Sequence, residues 1–206
     1  EVNMAKKLFF KYAAMSSGKS VALLAVAHNY EERGLSVRLF TCAFDDRSGQ
    51  GKISSLIGLS RAADVFDKDT VFDERSLGLG HGAILVDEAQ FLTATQVEQL
   101  HRYANLQNVA VICYGLRTDF TGRPSEGSAM LLALADELEE LKSICSCSRK
   151  ATMNIRLGPD GARQRSGAQV QIGAVQYRSV CAACFYSKPA ARRGGRASEN
   201  GVFRRQ

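Results

Sequence analysis

No apolar run in this 206-residue chain approaches the roughly 20 residues that a membrane-spanning helix needs. The N-terminus also lacks the basic-then-apolar pattern of a secretion signal. Together these absences predict a protein that is neither inserted in a membrane nor exported, with Met4 rather than Glu1 as its start. Histidine is scarce. The three present, His28, His81 and His101, are scattered, and each reads as a surface or core side chain rather than a metal ligand. No internal repeat is found, which removes repeat architectures. Charge of one sign is missing from the body as well. The net charge of +6 comes almost entirely from the end of the chain, where Lys188, Arg192, Arg193, Arg196, Arg204 and Arg205 face a single acid, Glu199. Residues 1–187 hold 21 basic and 20 acidic side chains. The basic, Gly/Ala/Arg-rich stretch 188–206 therefore reads as a solvated, disordered tail rather than a specific nucleic-acid arm.

What is present is the composition of an ordinary globular protein, 45% hydrophobic and 23% charged. Apolar runs alternate with helix-period segments. Leu8–Ala13 reads as a buried strand and 21–33 as a helix stopped by Gly34. Residues 37–44 read as a second strand and 45–60 as a Gly-rich loop. Residues 83–87 form a short strand ending in an acid. Thr95 with Glu98 forms a capping box for a helix reaching about Leu106. Residues 109–114 are a further strand and 128–141 a strongly helical segment. Such alternation predicts an α/β protein with a mainly parallel sheet flanked by helices, its ligands at the carboxyl edge. After Lys142 the texture changes: 151–157 and 169–175 flank Gly158-Pro159-Asp160-Gly161 as the arms of a hairpin. The expected division is 4–142, 143–187 and the tail 188–206.

Three constellations carry chemistry. Ser16-Ser17-Gly18-Lys19-Ser20 lies between the first strand and the first helix, where backbone N–H groups and a lysine surround phosphates. Lys19 suits the β/γ-phosphates and the Ser20 hydroxyl suits Mg²⁺. The usual glycine four residues before Gly-Lys-Ser is here Ala13. Asp87 and Glu88 end an apolar strand, as a Mg²⁺-positioning acid followed by a base would. Cys145-x-Cys147 and Cys181-x2-Cys184, with 33 residues between the pairs, match a structural zinc site closed by four thiolates. Four cysteines leave no open position for a catalytic water. Cys42 and Cys113, in apolar strands, behave as small hydrophobes.

With these residues in hand, the chain resembles the type II thymidine kinases, in a version like that of proteobacteria. The resemblance rests on residues 14–20, Phe44-Asp45-Asp46-Arg47, Val86-Asp87-Glu88-Ala89-Gln90-Phe91, residues 114–120 (Tyr-Gly-Leu-Arg-Thr-Asp-Phe) and 177–181 (Tyr-Arg-Ser-Val-Cys). Those relatives also tolerate a small residue at Ala13. The resemblance implies a P-loop α/β domain with a small zinc-bound, β-rich lasso domain. It implies ATP bound by Ala13, Ala14, Met15, Ser16, Ser17, Gly18, Lys19, Ser20, Asp87, Glu88, Ala89 and Gln90. Mg²⁺ lies near Ser20 and Asp87, Glu88 is the general base toward the thymidine 5′-hydroxyl, and Arg47 steadies the phosphates. Phe120 stacks on thymine, Met15 and Leu116 line the methyl pocket, and Gln169, Val170, Gln171, Ile172, Gly173 and Tyr177 close over the base. A homotetramer, a cytoplasmic location and feedback inhibition by dTTP are also implied. Two departures bear on the nucleoside clamp and not on the phosphate machinery. The loop before Tyr177 is one residue short, and Ser125 stands where a second aromatic is expected. A competing reading, a nucleic-acid-binding P-loop ATPase with a zinc ribbon, calls for basic residues spread over the body, which is nearly neutral. A binding protein that has lost catalysis would lack Lys19 or Glu88, and both are present.

Overall fold

The computed structural model describes residues 7–44, 51–55, 57–168 and 176–187. Its centre is a sheet of six parallel strands: β1 (Leu8–Ala13), β2 (Val37–Cys42), β5 (Asp64–Phe66), β6 (Ala83–Val86), β7 (Ala110–Leu116) and β8 (Glu137–Glu140), in the order β5-β2-β6-β7-β1-β8. Between β2 and β5 lies an antiparallel hairpin, β3 (Lys52–Ser54) with β4 (Ser60–Ala62). The helices are α1 (Lys19–Glu31), the single turn α2 (Glu74–Leu77), α3 (Ala94–Leu106) and α4 (Glu126–Leu134).

The period-2 alternation of the strands sorts side chains onto two faces. Leu8, Phe10, Ile84, Val86, Val111 and Cys113 face Val97, Leu100 and Tyr103 of α3 and Leu131 of α4. Leu39, Leu85, Ala110, Ile112 and Tyr114 face Leu23, Leu24 and Ala27 of α1. Every residue of β6 is fully buried, as a parallel strand covered by helices on both sides must be. Because all six strands run the same way, β1, β6 and β7 release their chain at one edge. The segments 14–20, 87–91 and 117–120 therefore meet there.

Several boundaries depart from the sequence reading. Helix α1 begins two residues earlier and ends two earlier, with Gly34 left-handed beyond its end. The segment 45–60 is not all loop, since it holds β3 and the first residue of β4; residues 45–50 and 56 lie outside the described residues. The capping box belongs to Thr93 and Gln96, not Thr95 and Glu98. Thr93 Oγ1 accepts the Gln96 N–H at 3.2 Å, and Gln96 Oε1 accepts the Thr93 N–H at 3.0 Å. Gln96 is favoured because its amide also donates to the carbonyls of Asp67 and Thr70, both at 2.7 Å.

The expected helix 128–141 starts earlier and stops at Leu134. Glu137–Glu140 is instead the edge strand β8, paired to β1. The open side of β1 supplies backbone partners, the Asp136 carboxylate takes the Leu8 N–H at 2.9 Å, and Lys11 pairs with Glu139 at 2.8 Å. Tertiary pairing overrides helix propensity here.

The remaining strands are β9 (Ser143–Ile144), β10 (Lys150–Ala151), β11 (Met153–Leu157), β12 (Arg163–Gln164) and β13 (Gln176–Val180), followed by helix α5 (Ala182–Tyr186). The turn at 158–161 closes β11 onto β12, and β11 also pairs with β13. Residues 169–175 and the tail 188–206 lie outside the described residues.

Candidate active site

The segment after β1 is shaped by two left-handed residues, Ser16 (φ 55°) and Gly18 (φ 80°), the latter capping α1. Ala13 needs no glycine: it is the last residue of β1, paired with Leu116, and has no positive φ. Left-handed backbone at Ser16 costs of order 1 kcal/mol or more, so the surroundings must hold it. The Ser17 hydroxyl donates to the Ala14 carbonyl at 2.7 Å, and the buried Lys19 Nζ donates to the same oxygen at 3.3 Å. The helix N-terminus adds its dipole and the N–H groups of its first turn, so the loop is an anion site.

Opposite it, Asp87 directly follows the last residue of β6. The Ser20 hydroxyl donates to Asp87 Oδ2 at 3.0 Å, and the Glu88 N–H donates to Oδ1 at 3.0 Å. Burial at 4% exposure pushes the Asp87 carboxyl up to about 6, and the neighbouring Glu88 charge adds to the rise. A buried carboxylate beside a second acid and a serine hydroxyl is a donor set that fits a hard divalent cation. Glu88 is itself left-handed (φ 52°), which turns its side chain out of the strand line. Gln90 holds that carboxylate: its Nε2 donates to Glu88 Oε2, while its Oε1 accepts the Leu116 N–H at 3.0 Å. Gly115 lets this amide approach, since a Cβ there would stand 3.0 Å from Gln90 Oε1.

The cleft between these segments has a volume of about 490 Å³ and is lined by residues 15–21, Thr41, 52–55, Ile57, Asp87, Glu88 and Leu116. The structure thus brings together Met15, the phosphate loop, Asp87, Glu88 and Leu116. Ala13, Ala14, Ala89 and Gln90 are not among the lining residues. Phe120 is 2% exposed, with the Arg156 guanidinium carbon 3.7 Å from its ring centroid. Neither Phe120 nor the half-buried Tyr177 of β13 lines the cleft among the described residues. Arg47 and the predicted clamp 169–173 fall outside the described residues. Ser125 caps α4 by accepting the Ser128 N–H at 3.2 Å, and Ser128 in turn donates to the Leu116 carbonyl at 2.6 Å.

Sequence reasoning missed Thr41 and the β3 side of the cleft. It also missed Asn154, whose Oδ1 accepts the Met15 N–H at 2.8 Å, and Ser179, which donates to the Met15 carbonyl. The only available signal was a polar residue at an inward position of an alternating strand, and nothing local points it toward Met15.

Cys145, Cys147, Cys181 and Cys184 come together with their sulfurs all within 4.8 Å of one another. Cys147 Sγ lies 3.5 Å from both Cys145 Sγ and Cys181 Sγ, close to the roughly 3.8 Å edge of a tetrahedron with Zn–S bonds near 2.3 Å. Backbone N–H groups of Cys147 and Cys181 bring the Cys145 thiol down to about 6. Hydrogen bonding among the thiols, with Cys147 foremost, raises Cys184 to about 12. Four sulfurs gathered at these distances form a donor set that fits zinc.

An anion-binding loop at a helix N-terminus, faced by paired carboxylates from a strand of the same parallel sheet with one strand between, defines the P-loop class of nucleotide-using phosphotransferases. A family model described as thymidine kinase matches residues 6–185. The chain is 52% identical to a thymidine kinase of Chromobacterium violaceum, over 87% of this chain and 98% of that protein. It is 51% identical to one of Albidiferax ferrireducens, over 87% of this chain and 92% of the relative. With one of Pasteurella multocida it shares 49%, over 85% and 94%. The chain belongs to the thymidine kinase family.

Proposed function

We propose that the chain transfers the γ-phosphoryl group of ATP to the 5′-hydroxyl of thymidine, giving ADP and dTMP. One observation carries this reading: the Ser20–Asp87 hydrogen bond, at 3.0 Å, closes a phosphate loop onto a carboxylate pair at the floor of one cleft. The loop N–H groups and Lys19 hold the β- and γ-phosphates and stabilise charge on the oxygens as the bond to the leaving ADP breaks. Ser20 and Asp87 would hold magnesium, which when bound neutralises phosphate charge. Glu88 accepts the proton of the 5′-hydroxyl as its oxygen bonds to phosphorus. Gln90 donates to Glu88 and fixes its direction. Arg47 supplies a second cation, by resemblance.

Met15 and Leu116, on the cleft wall, receive the nucleoside. By resemblance, residues 169–173 and Tyr177 are assigned to the nucleoside clamp and Phe120 to stacking on the base. Zinc held by the four cysteines ties down the unit 143–187. Resemblance supports a cytoplasmic homotetramer inhibited by dTTP. Among the described residues no helix is long and apolar enough to cross a membrane.

The test is ADP release by the purified protein with ATP, Mg²⁺ and each nucleoside in turn. Release that depends on thymidine and yields dTMP supports the reading. Nucleoside-independent release, or none with any nucleoside, contradicts it.

A further inference from the structure

Met15 opens the phosphate loop, and both of its backbone groups are taken by side chains from a distant part of the chain. Asn154 Oδ1 accepts its N–H at 2.8 Å, and the Ser179 hydroxyl donates to its carbonyl. Asn154 and Ser179 are direct partners in the β11–β13 ladder, so both side chains leave the same face of one small sheet. Asn154 is 2% exposed, and its Nδ2 donates to the Thr118 carbonyl at 2.9 Å. That second bond settles which end of the amide faces Met15. A single amide thus joins the phosphate loop, the segment after β7 and the β11–β13 sheet.

The consequence lies in the geometry of the next residue. Ser16 is left-handed at φ 55°, a conformation that a serine keeps only where its neighbours over-determine it. Fixing the N–H and the C=O of Met15 fixes the two peptide planes on either side of it. The plane on the far side carries the Ser16 N–H, the first of the loop's donors. Within the loop, Ser17 and Lys19 both bind the Ala14 carbonyl, which precedes Met15 and leaves the Met15–Ser16 peptide to the clamp.

We propose that Asn154 and Ser179 are positioning residues for phosphoryl transfer, holding Met15 so that the phosphate loop is set before ATP arrives. ATP binding then depends on the docked position of the β11–β13 sheet. This rests on the kinase reading for its substrate, but its test needs no turnover.

The experiment is calorimetric titration of the full-length protein with a non-hydrolysable ATP analogue and Mg²⁺. It uses Asn154→Ala, Ser179→Ala, Ser179→Thr and the double alanine variant, at a temperature where each is folded. Each alanine variant is expected to weaken binding about three- to tenfold, the factor one hydrogen bond contributes. Ser179→Thr keeps the hydroxyl and is expected to stay within twofold of the parent. The double variant is expected to lose less than the product of the single losses, because both side chains act on Met15. Should Asn154→Ala fail to fold, the half-buried Ser179 pair carries the test. Analogue affinity within twofold of the parent in both folded alanine variants overturns the proposal, even where their melting temperatures fall. A loss in Ser179→Thr equal to that in Ser179→Ala also overturns it. Absence of thymidine-dependent turnover in the parent would defeat the kinase reading and leave these binding outcomes to be judged separately.

Discussion

Asp87 is where stability and chemistry oppose each other. Its carboxyl is 4% exposed and sits at about 6, above the ordinary carboxylate range, because burial and the Glu88 charge disfavour ionisation. An acid whose folded pKa is raised contributes most to stability below its unfolded pKa near 4. The contribution falls as pH rises through about 6 and is level beyond it. In the metal-free protein, Asp87→Asn is therefore expected to stabilise the fold at pH 8 by about 1–3 kcal/mol, with the gain shrinking toward pH 4. Urea denaturation at the two pH values checks this, and an Asn variant less stable at pH 8 would contradict it. The same variant should lose phosphoryl transfer, since an amide cannot hold a divalent cation as a carboxylate does. Ser16 and Glu88, the left-handed residues on either side of the cleft, are the same kind of trade, with strain kept where the site needs an unusual direction.

At the scale of elements, the α3 terminus offers a direct comparison. Thr93→Ala should cost about 1 kcal/mol, because it removes the oxygen that accepts the Gln96 N–H. Thr95→Ala, inside the helix, should stay within about 0.5 kcal/mol. Thermal unfolding distinguishes them, and the reverse order would return the cap to Thr95.

This pair also marks what the sequence discloses. Both Thr93-x-x-Gln96 and Thr95-x-x-Glu98 satisfy the capping pattern. The choice between them is made by the carbonyls of Asp67 and Thr70, which bind Gln96 from another segment. β6 and β7 were legible because burial on both faces writes them as near-continuous apolar runs, and β1 because its residues other than Lys11 are apolar or aromatic. Glu137–Glu140 was not, since its strand state comes from the open edge of β1 and not from its own residues. In the site, Gly18, Lys19, Ser20, Asp87 and Glu88 were readable from local pattern. Asn154 and Ser179 act across 139 and 164 positions, respectively, and leave no local trace.

At the scale of the whole molecule, the parallel sheet brings the phosphate loop and the carboxylates to one edge, and the β11–β13 sheet reaches back onto that edge through Met15. The four cysteines gather beside the Met153–Val180 end of that sheet, with Cys181 two residues beyond Ser179, where β9, β10 and β13 meet the start of α5. Metal analysis is expected to find about one zinc per chain, and Cys181→Ser is expected to lower that content sharply. Unchanged metal in that variant would show that the ligand set is different. Across all three scales the account converges on Glu88, the carboxylate that Gln90 aims from the end of β6. The measurement that tests it most directly is the rate of γ-phosphoryl transfer from ATP to thymidine in Glu88→Gln, with Mg-ATP affinity read on the same sample. The account predicts a fall in rate of about a hundredfold or more, the contribution of a general base, with ATP affinity nearly unchanged. Transfer at close to the parent rate would contradict it.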